Sequence, residues 1–275
     1  MIGRRHLLLA AFALALAAPQ PAPAASGSAA GSPPRHTPEA IAAQAKTIER
    51  TLAAAGARVA IVGRIGRDPA TLPKGLTYTH VAFWMHSTIR TREGELLHGY
   101  AVHNLYQRDG EPDRSELVQD FPADFLSPAF DLKVAVLIPK PELQARLGAL
   151  ISSPAYAALH NPRYSVVANP LRDRYQNCTS FVLDVVMAAL YRTEDRRQIR
   201  ANVQAYFQPQ IVEVGGGRRL FASLFVPDVA TSDHDERIHT ATMEALADFM
   251  MSQGLAERSF EVAADGRIQP IGAGR

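Results

Sequence analysis

The fold can be predicted outward from one stretch, Tyr175-Gln176-Asn177-Cys178-Thr179-Ser180-Phe181, and the largely apolar run over residues 182–190 that follows it. The stretch holds the only cysteine of the chain, where a loop is expected to turn into a helix. Asn, Thr and Ser favour helix starts because their side chains accept hydrogen bonds from the free amides of the first turn. A thiol there lies at the positive end of the helix dipole, which favours the thiolate. We therefore predict a central buried helix over about 178–191.

The N-terminus predicts export. Arg4-Arg5 precede the apolar stretch 7–18, and small residues with Pro follow, which is the order of a secretory signal peptide over residues 1–25. Three cleavage points share a preceding alanine: Ala17, Ala24 and Ala25. The apolar stretch is short for a bilayer span, and the paired arginines are compatible with twin-arginine export. We therefore predict a soluble periplasmic or secreted protein, without an integral membrane segment after cleavage and without a lipid-anchoring cysteine.

Composition and charge restrict the partners and the number of domains. The net charge of +2 is too small to indicate nucleic acid or an anionic membrane as a partner. Residues 26–36 are rich in Pro, Ala, Gly and Ser and are expected to form a disordered lead. Residues 37–275 show no internal repeat and no clear linker, so they predict a single α+β domain.

Two predicted strands carry polar side chains. The β-branched and aromatic run 76–84 places Tyr78 and His80 on one face, and the run 99–107 carries His103 and Asn104 on opposite faces. The remaining predictions are helices at 37–55, 141–151, 155–159, 194–206 and 235–252, strands at 58–62 and 132–138, a hairpin of 211–214 with 220–225, and a terminal hairpin around 265–266.

Cys178 and His80 form the sharpest chemical hypothesis. A cysteine on a helix can act as nucleophile when a histidine on a neighbouring strand serves as base and a third polar group orients the imidazole. The alternative is structural. A lone cysteine in an exported protein is often buried, and a histidine on a strand commonly belongs to the core.

Other polar residues suggest binding rather than catalysis. Arg64 and Arg67 lie beside glycines and are candidates for holding a substrate carboxylate, with a solvated turn or an ion pair to Asp68 as the alternative. Tyr78 is expected in the substrate pocket wall or the core. Histidines 234 and 239 are five residues apart and do not share a helix face, which favours a charged helix start over a metal site. The sequence also has no phosphate-binding glycine loop and no cysteine pair for zinc, so no metal and no cofactor are predicted.

The motifs around the histidine and the cysteine resemble a known superfamily. Thr79-His80-Val81-Ala82 followed by Asn177-Cys178-Thr179 resembles the circularly permuted branch of the papain-like, NlpC-type cysteine peptidases, in which His precedes Cys. More closely, the segments 63–68, 77–81 and 175–179 resemble the exported bacterial family called domain of unknown function 2145. This resemblance covers roughly residues 45–270.

The resemblance implies a papain-like fold, with an antiparallel sheet packed on the helix that carries the cysteine. It implies Cys178 as nucleophile and His80 as base. The third residue would be His103 or Asn104, of which only one can serve because they point to opposite faces; we favour Asn104, since Cys-His-Asn is a known arrangement. The Cys178 amide would donate to the oxyanion, with side-chain help from Gln176 or Asn177.

These expectations combine into two functions. The first is an exported cysteine hydrolase or acyltransferase acting on an amide or ester, with a cell-wall peptide or a lipid as substrate. The second is a catalytically silent periplasmic binding or scaffold protein that holds a ligand with Arg64 and Arg67. Hydrogen-bond reach between Cys178 and His80 in an open cleft would favour the enzyme, and a buried, unpartnered thiol would favour the binding protein.

Overall fold

The computed structural model describes residues 34–90, 93–212 and 230–271. The predicted signal peptide, most of the predicted lead and the hairpin strand at 220–225 lie outside these residues. Across the described part of the chain, no helix has both the length and the apolar character needed to cross a membrane.

The core is a seven-stranded antiparallel sheet in the order β4-β3-β2-β1-β5-β8-β9. A short pair, β6 and β7, forms a second sheet. The strands are β1 Val59–Ile65, β2 His80–Arg90, β3 Leu96–Arg108, β4 Glu111–Asp120, β5 Asp131–Pro139, β6 Gln210–Val212, β7 Ile238–Thr240, β8 Ala256–Val262 and β9 Ile268–Pro270. The helices are α1 Pro38–Ala54, α2 Pro122–Leu126, α3 Pro141–Ile151, α4 Pro154–Ala158, α5 Cys178–Tyr191, α6 Arg196–Tyr206 and α7 Met243–Ser252.

This architecture confirms the predicted α+β class and the antiparallel sheet. Helices cover the sheet on both faces. Val81 and Phe83 of β2 belong to the core cluster that contains α5, whereas Ala82 and Trp84 belong to the cluster formed with α1 and α2. Successive residues of a strand point to opposite faces, so the two clusters divide β2 residue by residue.

Helix α5 begins where the capping residues predict. The Asn177 side chain accepts from the Ser180 amide, and the Ser180 hydroxyl accepts in turn from the Asn177 amide, each at 2.8 Å. This reciprocal capping satisfies two amides that a helix start leaves open. Every residue of the helix from Cys178 to Ala189 is buried, as its apolar sequence requires.

Several predicted boundaries differ from the structure. Strand β1 continues to Ile65, so Arg64 lies in a central strand and not in the predicted turn. Strand β2 begins only at His80, which leaves residues 77–79 outside it. The last helix begins at Met243 instead of about 235, because Ile238–Thr240 pairs with β6.

Candidate active site

The His80 side chain contacts that of Asn104 just beyond the last paired residues of strands β2 and β3. The paired positions of these strands run from Arg90 and Leu96 to Phe83 and His103. Beyond Phe83 and His103 the two strands are joined by a side-chain hydrogen bond, with His80 Nε2 3.0 Å from Asn104 Oδ1. Of the two candidates for a third residue, Asn104 is therefore the one that contacts His80.

A carboxylate that sequence reasoning missed lies behind Asn104. Asn104 Nδ2 donates to Asp120 Oδ1 at 2.8 Å, and the Tyr106 hydroxyl donates to Asp120 Oδ2 at 2.9 Å. The Tyr106 ring also stacks on His80, with centroids 4.7 Å apart and planes 10° apart. Asp120 ends the edge strand β4, and only the register of the sheet brings it to Asn104. Tyr106 could have been found, since it shares a strand face with Asn104.

Burial sets the protonation of this cluster. His80 is 1% exposed, and burial followed by the positive charge of Arg64 lowers its pKa well below the ordinary value, against the effect of its hydrogen bond to Asn104. Its imidazole is therefore neutral at pH 7 and a weaker base than a free imidazole. Burial raises the pKa of Asp120 to about 6, so this group is an anion at pH 7.

Arg64 belongs to the same buried cluster. It is 1% exposed, and its Nη1 donates to the Phe125 carbonyl at 2.5 Å. Its guanidinium lies 5.2 Å from the Phe125 ring centroid and 5.9 Å from that of Tyr106. The predicted contact with a substrate carboxylate does not fit this position, because the group is enclosed between strand and helix α2. Its charge acts instead on His80 and Cys178.

The Cys178 thiol lies at the start of α5 and is nearly enclosed, with 6% of the residue exposed. Its sulfur accepts from the backbone amide of Val81 and lies 3.8 Å from the Thr179 hydroxyl. Burial raises the pKa of Cys178, and the Val81 amide, the Thr179 hydroxyl and the charge of Arg64 oppose that effect. The thiol is therefore held protonated at pH 7.

The Cys178 thiol and the His80 imidazole lie on different faces of β2. The thiol contacts the peptide of Val81, whose side chain packs under α5, while the His80 ring lies against Phe125 of α2, 5.6 Å between centroids. Within the described residues, the hydrogen bonds of the thiol go to Val81 and Thr179, and none joins it to the imidazole.

His103, the other candidate third residue, lies on the α5 side of the sheet. Its ring packs edge-on against Tyr156 at 6.0 Å between centroids, and burial lowers its pKa. His103 pairs with Phe83 in the sheet, three residues along β2 from His80.

The side chains predicted to assist an oxyanion are already engaged in the fold. Gln176 donates to Asp184 at 2.9 Å and to the Leu159 carbonyl at 3.2 Å. Asn177 caps α5 and donates to the Val166 carbonyl at 2.9 Å. The predicted help from these two amides does not fit their positions. The backbone amide of Cys178 remains, because the first turn of a helix leaves it without an intrahelical acceptor, whereas the Thr179 amide donates to the thiol.

A small pocket of about 50 Å³ opens at the thiol. Tyr78 and Thr79 form one wall and Tyr164 another, which fits the position predicted for Tyr78. The half-buried Arg67 acts on this wall, since its charge partly offsets the burial that raises the pKa of Tyr164. The other lining residues are Leu76, Val166, Val167, Asn177, Cys178, Thr179, Thr240, Ala241 and Thr242. Apart from the Asn177 amide and the thiol itself, the lining side chains bear hydroxyls or are apolar, and none of them is charged. No group of His, Cys, Asp and Glu suited to a metal ion occurs among the residues that the structure covers.

The raised pKa of Asp120 predicts a pH-dependent stability. Folding lifts this pKa from 3.8 to about 6, so the folded state holds the proton more tightly than the unfolded state. The stability gained is complete below pH 3.8 and is lost as the pH rises to about 6. The free energy of unfolding of the wild type, relative to that of Asp120→Asn, should fall by at most roughly 3 kcal/mol over this window. Urea unfolding at pH 3.5 and 6.5 measures it, and parallel pH profiles for the two proteins would contradict it.

Comparison with known proteins identifies a family. A family model described as "Uncharacterized protein conserved in bacteria (DUF2145)" matches residues 51–250. The match includes His80, Asn104, Asp120 and Cys178. No curated protein and no solved structure matches the chain significantly.

Proposed function

Since the chain belongs to the DUF2145 family of bacterial proteins, whose description names no activity, we propose a function from the geometry of the site. We propose that the protein is an exported, papain-like cysteine hydrolase or acyltransferase that acts on an amide or an ester. Cys178 is the nucleophile, His80 the base and Asn104 the residue that orients the imidazole.

The observation that carries this proposal is the contact of His80 Nε2 with Asn104 Oδ1 at 3.0 Å. An imidazole held in this way through Nε2 keeps Nδ1 for a second partner, as in Cys-His-Asn sites. The thiol at the start of α5 bonds to the Val81 peptide, one residue after His80, although the thiol lies on the α5 side of β2 and the imidazole on the α2 side. The described arrangement corresponds to a resting site, since catalytic hydrogen bonds are often long in the absence of substrate.

The reaction balances with these three residues. The Cys178 thiol gives its proton to His80 Nδ1, and the sulfur attacks the carbonyl carbon while the π pair moves to the oxygen. The resulting oxyanion accepts from the backbone amide of Cys178. Collapse expels an amine or alcohol, which takes the proton from His80, and leaves a thioester on Cys178. Water or an acceptor hydroxyl or amine then attacks the thioester, again through His80, and frees the thiol.

The proposed setting is the periplasm or the outside of the cell, on the evidence of the N-terminal sequence. A cell-wall peptide or a lipid supplies the amide or ester there. The pocket at the thiol supports a small, uncharged group next to the scissile bond, because its lining carries hydroxyls and apolar side chains.

A second candidate is a ligand-binding or scaffold protein without catalysis. It is favoured by the enclosed thiol, by the raised pKa of Cys178, and by hydrogen bonds of that thiol to Val81 and Thr179 instead of His80. In this alternative the same pocket holds a ligand, and the His80–Asn104–Asp120 chain only stabilises the core.

The alkylation rate of Cys178 separates the two candidates. Because Cys178 is the only cysteine, iodoacetamide labels one site. Burial alone raises its pKa, so an unassisted thiol would react more slowly than free cysteine at every pH. The enzyme predicts a rate that persists well below a free-thiol pKa of about 8.5 and that drops in His80→Ala.

His103→Ala is the matched control, since it removes a partly buried histidine of the same strand whose side chain points away from that of Asn104 and packs against Tyr156. Its rate profile should follow that of the wild type. A slow profile that follows an ordinary buried thiol and is the same in His80→Ala would reject the enzyme and support the binding protein.

A further inference from the structure

We propose that Asp120 is a positioning residue that acts on His80 through Asn104. It fixes the Asn104 amide so that the imidazole carries its proton on Nε2 and presents the lone pair of Nδ1. The consequence for catalysis rests on the proposed function, whereas the assignment of the imidazole proton can be tested without any substrate.

The orientation of the Asn104 amide follows from its neighbours. Its Nδ2 lies 2.8 Å from Asp120 Oδ1 and 3.4 Å from the Val102 carbonyl. A carboxylate and a carbonyl only accept hydrogen bonds, so the end of the amide that faces them must be the NH₂ group. The reversed amide would place its own oxygen against two acceptors in a buried site, which is strongly unfavourable.

This orientation fixes the tautomer of His80. Asn104 Oδ1 is turned toward Nε2 of the imidazole and can only accept, so Nε2 must donate. A neutral imidazole carries one proton, which leaves Nδ1 as the basic nitrogen. Asp120 thus selects the tautomer through an intervening amide, without touching the imidazole.

The neighbours of Asp120 leave one of its carboxylate oxygens to accept a hydrogen bond from Asn104. The titratable and charged groups that act on it are Tyr106 from β3, Arg64 from β1 and Asp124 from α2. Tyr106 donates to the second carboxylate oxygen, Oδ2, so Oδ1 is left for the amide. Among the ion pairs of the residues described, none includes Asp120, and Arg64 donates to the Phe125 carbonyl instead.

Nitrogen NMR of the His80 ring tests the assignment directly. Long-range proton–nitrogen correlation spectra of the ¹⁵N-histidine-labelled protein at pH 7.5 should show His80 as the Nε2–H tautomer. In Asp120→Asn the Asn104 amide loses the nearer of its two acceptor-only partners and keeps only the 3.4 Å contact with the Val102 carbonyl, and we expect a mixture of both tautomers or the Nδ1–H form. A wild-type spectrum with the proton on Nδ1 would overturn the proposal, and it needs no variant that might fail to fold.

Tyr106→Phe is the matched control, because it removes the other donor to Asp120 and keeps the Asn104–Asp120 bond. Its His80 should stay in the Nε2–H form. The same mixture of tautomers in Tyr106→Phe and Asp120→Asn would reject a specific role of Asp120 and indicate a general loosening of the cluster.

Kinetics connect the assignment to the proposed reaction. With an amide or ester substrate, Asp120→Asn should lower kcat roughly 10- to 100-fold with little change in KM, since it alters the base and not the pocket. An Nε2–H spectrum in a protein without any turnover would contradict the proposed function and leave the tautomer assignment standing. An unchanged kcat in Asp120→Asn would overturn the catalytic part of this inference.

Discussion

Cys178→Ala is expected to reduce turnover of an amide or ester substrate to background, a loss of at least roughly 10⁴-fold. The reason is chemical. The pocket at the start of α5 contains one sulfur, and the hydroxyls around it are far weaker nucleophiles without an activating base. His80→Ala should cost roughly 10² to 10⁴-fold, since the thiol then has no group to accept its proton.

Both variants should keep the fold, which makes the loss interpretable. Circular dichroism and thermal unfolding check the structure, and stopped assays over a panel of peptide amides and lipid esters measure the rate. Asn104→Ala should fall between wild type and His80→Ala, because it frees the imidazole without removing it. His103→Ala should retain turnover, since that side chain packs against Tyr156 away from the His80–Asn104 contact.

The opposite pattern would identify a different site. Turnover that survives in both Cys178→Ala and His80→Ala would reject the proposed chemistry. Loss in His103→Ala together with normal rates in Asn104→Ala would move the third position to His103, which lies on the same side of the sheet as α5.

Local signals predicted the cysteine helix and the class of fold. Asn177 and Ser180 predict the start of the helix because their side chains can cap it. The apolar run that follows Cys178 predicts a helix buried on all sides. The same local reasoning separated His103 from Asn104, because alternation along a strand is independent of what packs against it. The membership in the bacterial family was likewise predicted from short motifs and is confirmed by the match over residues 51–250.

Tertiary contacts determined what the sequence could not predict. Arg64 beside glycines is typical of a turn, yet the Phe125 carbonyl and two aromatic rings stabilise its guanidinium inside the core. Strand β4 has a polar sequence without clear alternation, and it forms because β3 offers it a ladder at the edge of the sheet. Asp120 lies 16 residues from Asn104, so its contact depends on register, which single-sequence patterns do not give.

The position of Cys178 relative to His80 also depends on tertiary packing. A histidine before a cysteine in the sequence says nothing about which face of a strand each group approaches. The structure places the thiol against the Val81 peptide and the imidazole against Phe125.

Arg200→Met is expected to be strongly destabilising, at roughly 3–5 kcal/mol in the free energy of unfolding. Arg200 of α6 lies 3.0 Å from Asp184 of α5 and 2.9 Å from Asp173, and it also donates to the Pro170 carbonyl. Asp184 is buried within α5, and burial raises its pKa while Arg200 opposes that effect. Removing the guanidinium leaves a buried carboxylate whose remaining donor is Gln176, at 2.9 Å. Urea unfolding at pH 7 measures the loss.

Two matched variants separate the buried charge from the lost side chain. Arg197→Met alters the same helix at a side chain that is 95% exposed, so its effect should stay within about 0.5 kcal/mol. Asp184→Asn combined with Arg200→Met should recover part of the stability, because an amide keeps the contact with Gln176 without a charge. If Arg200→Met cost no more than Arg197→Met, the ion pair would not be what holds α5 to α6.

The same variant should also change the access to the thiol. Gln176 contacts Asp184 and immediately precedes the Asn177 cap of α5, so a more mobile Asp184 should increase the alkylation rate of Cys178. The two measurements together link the stability of the helix to the access of its thiol.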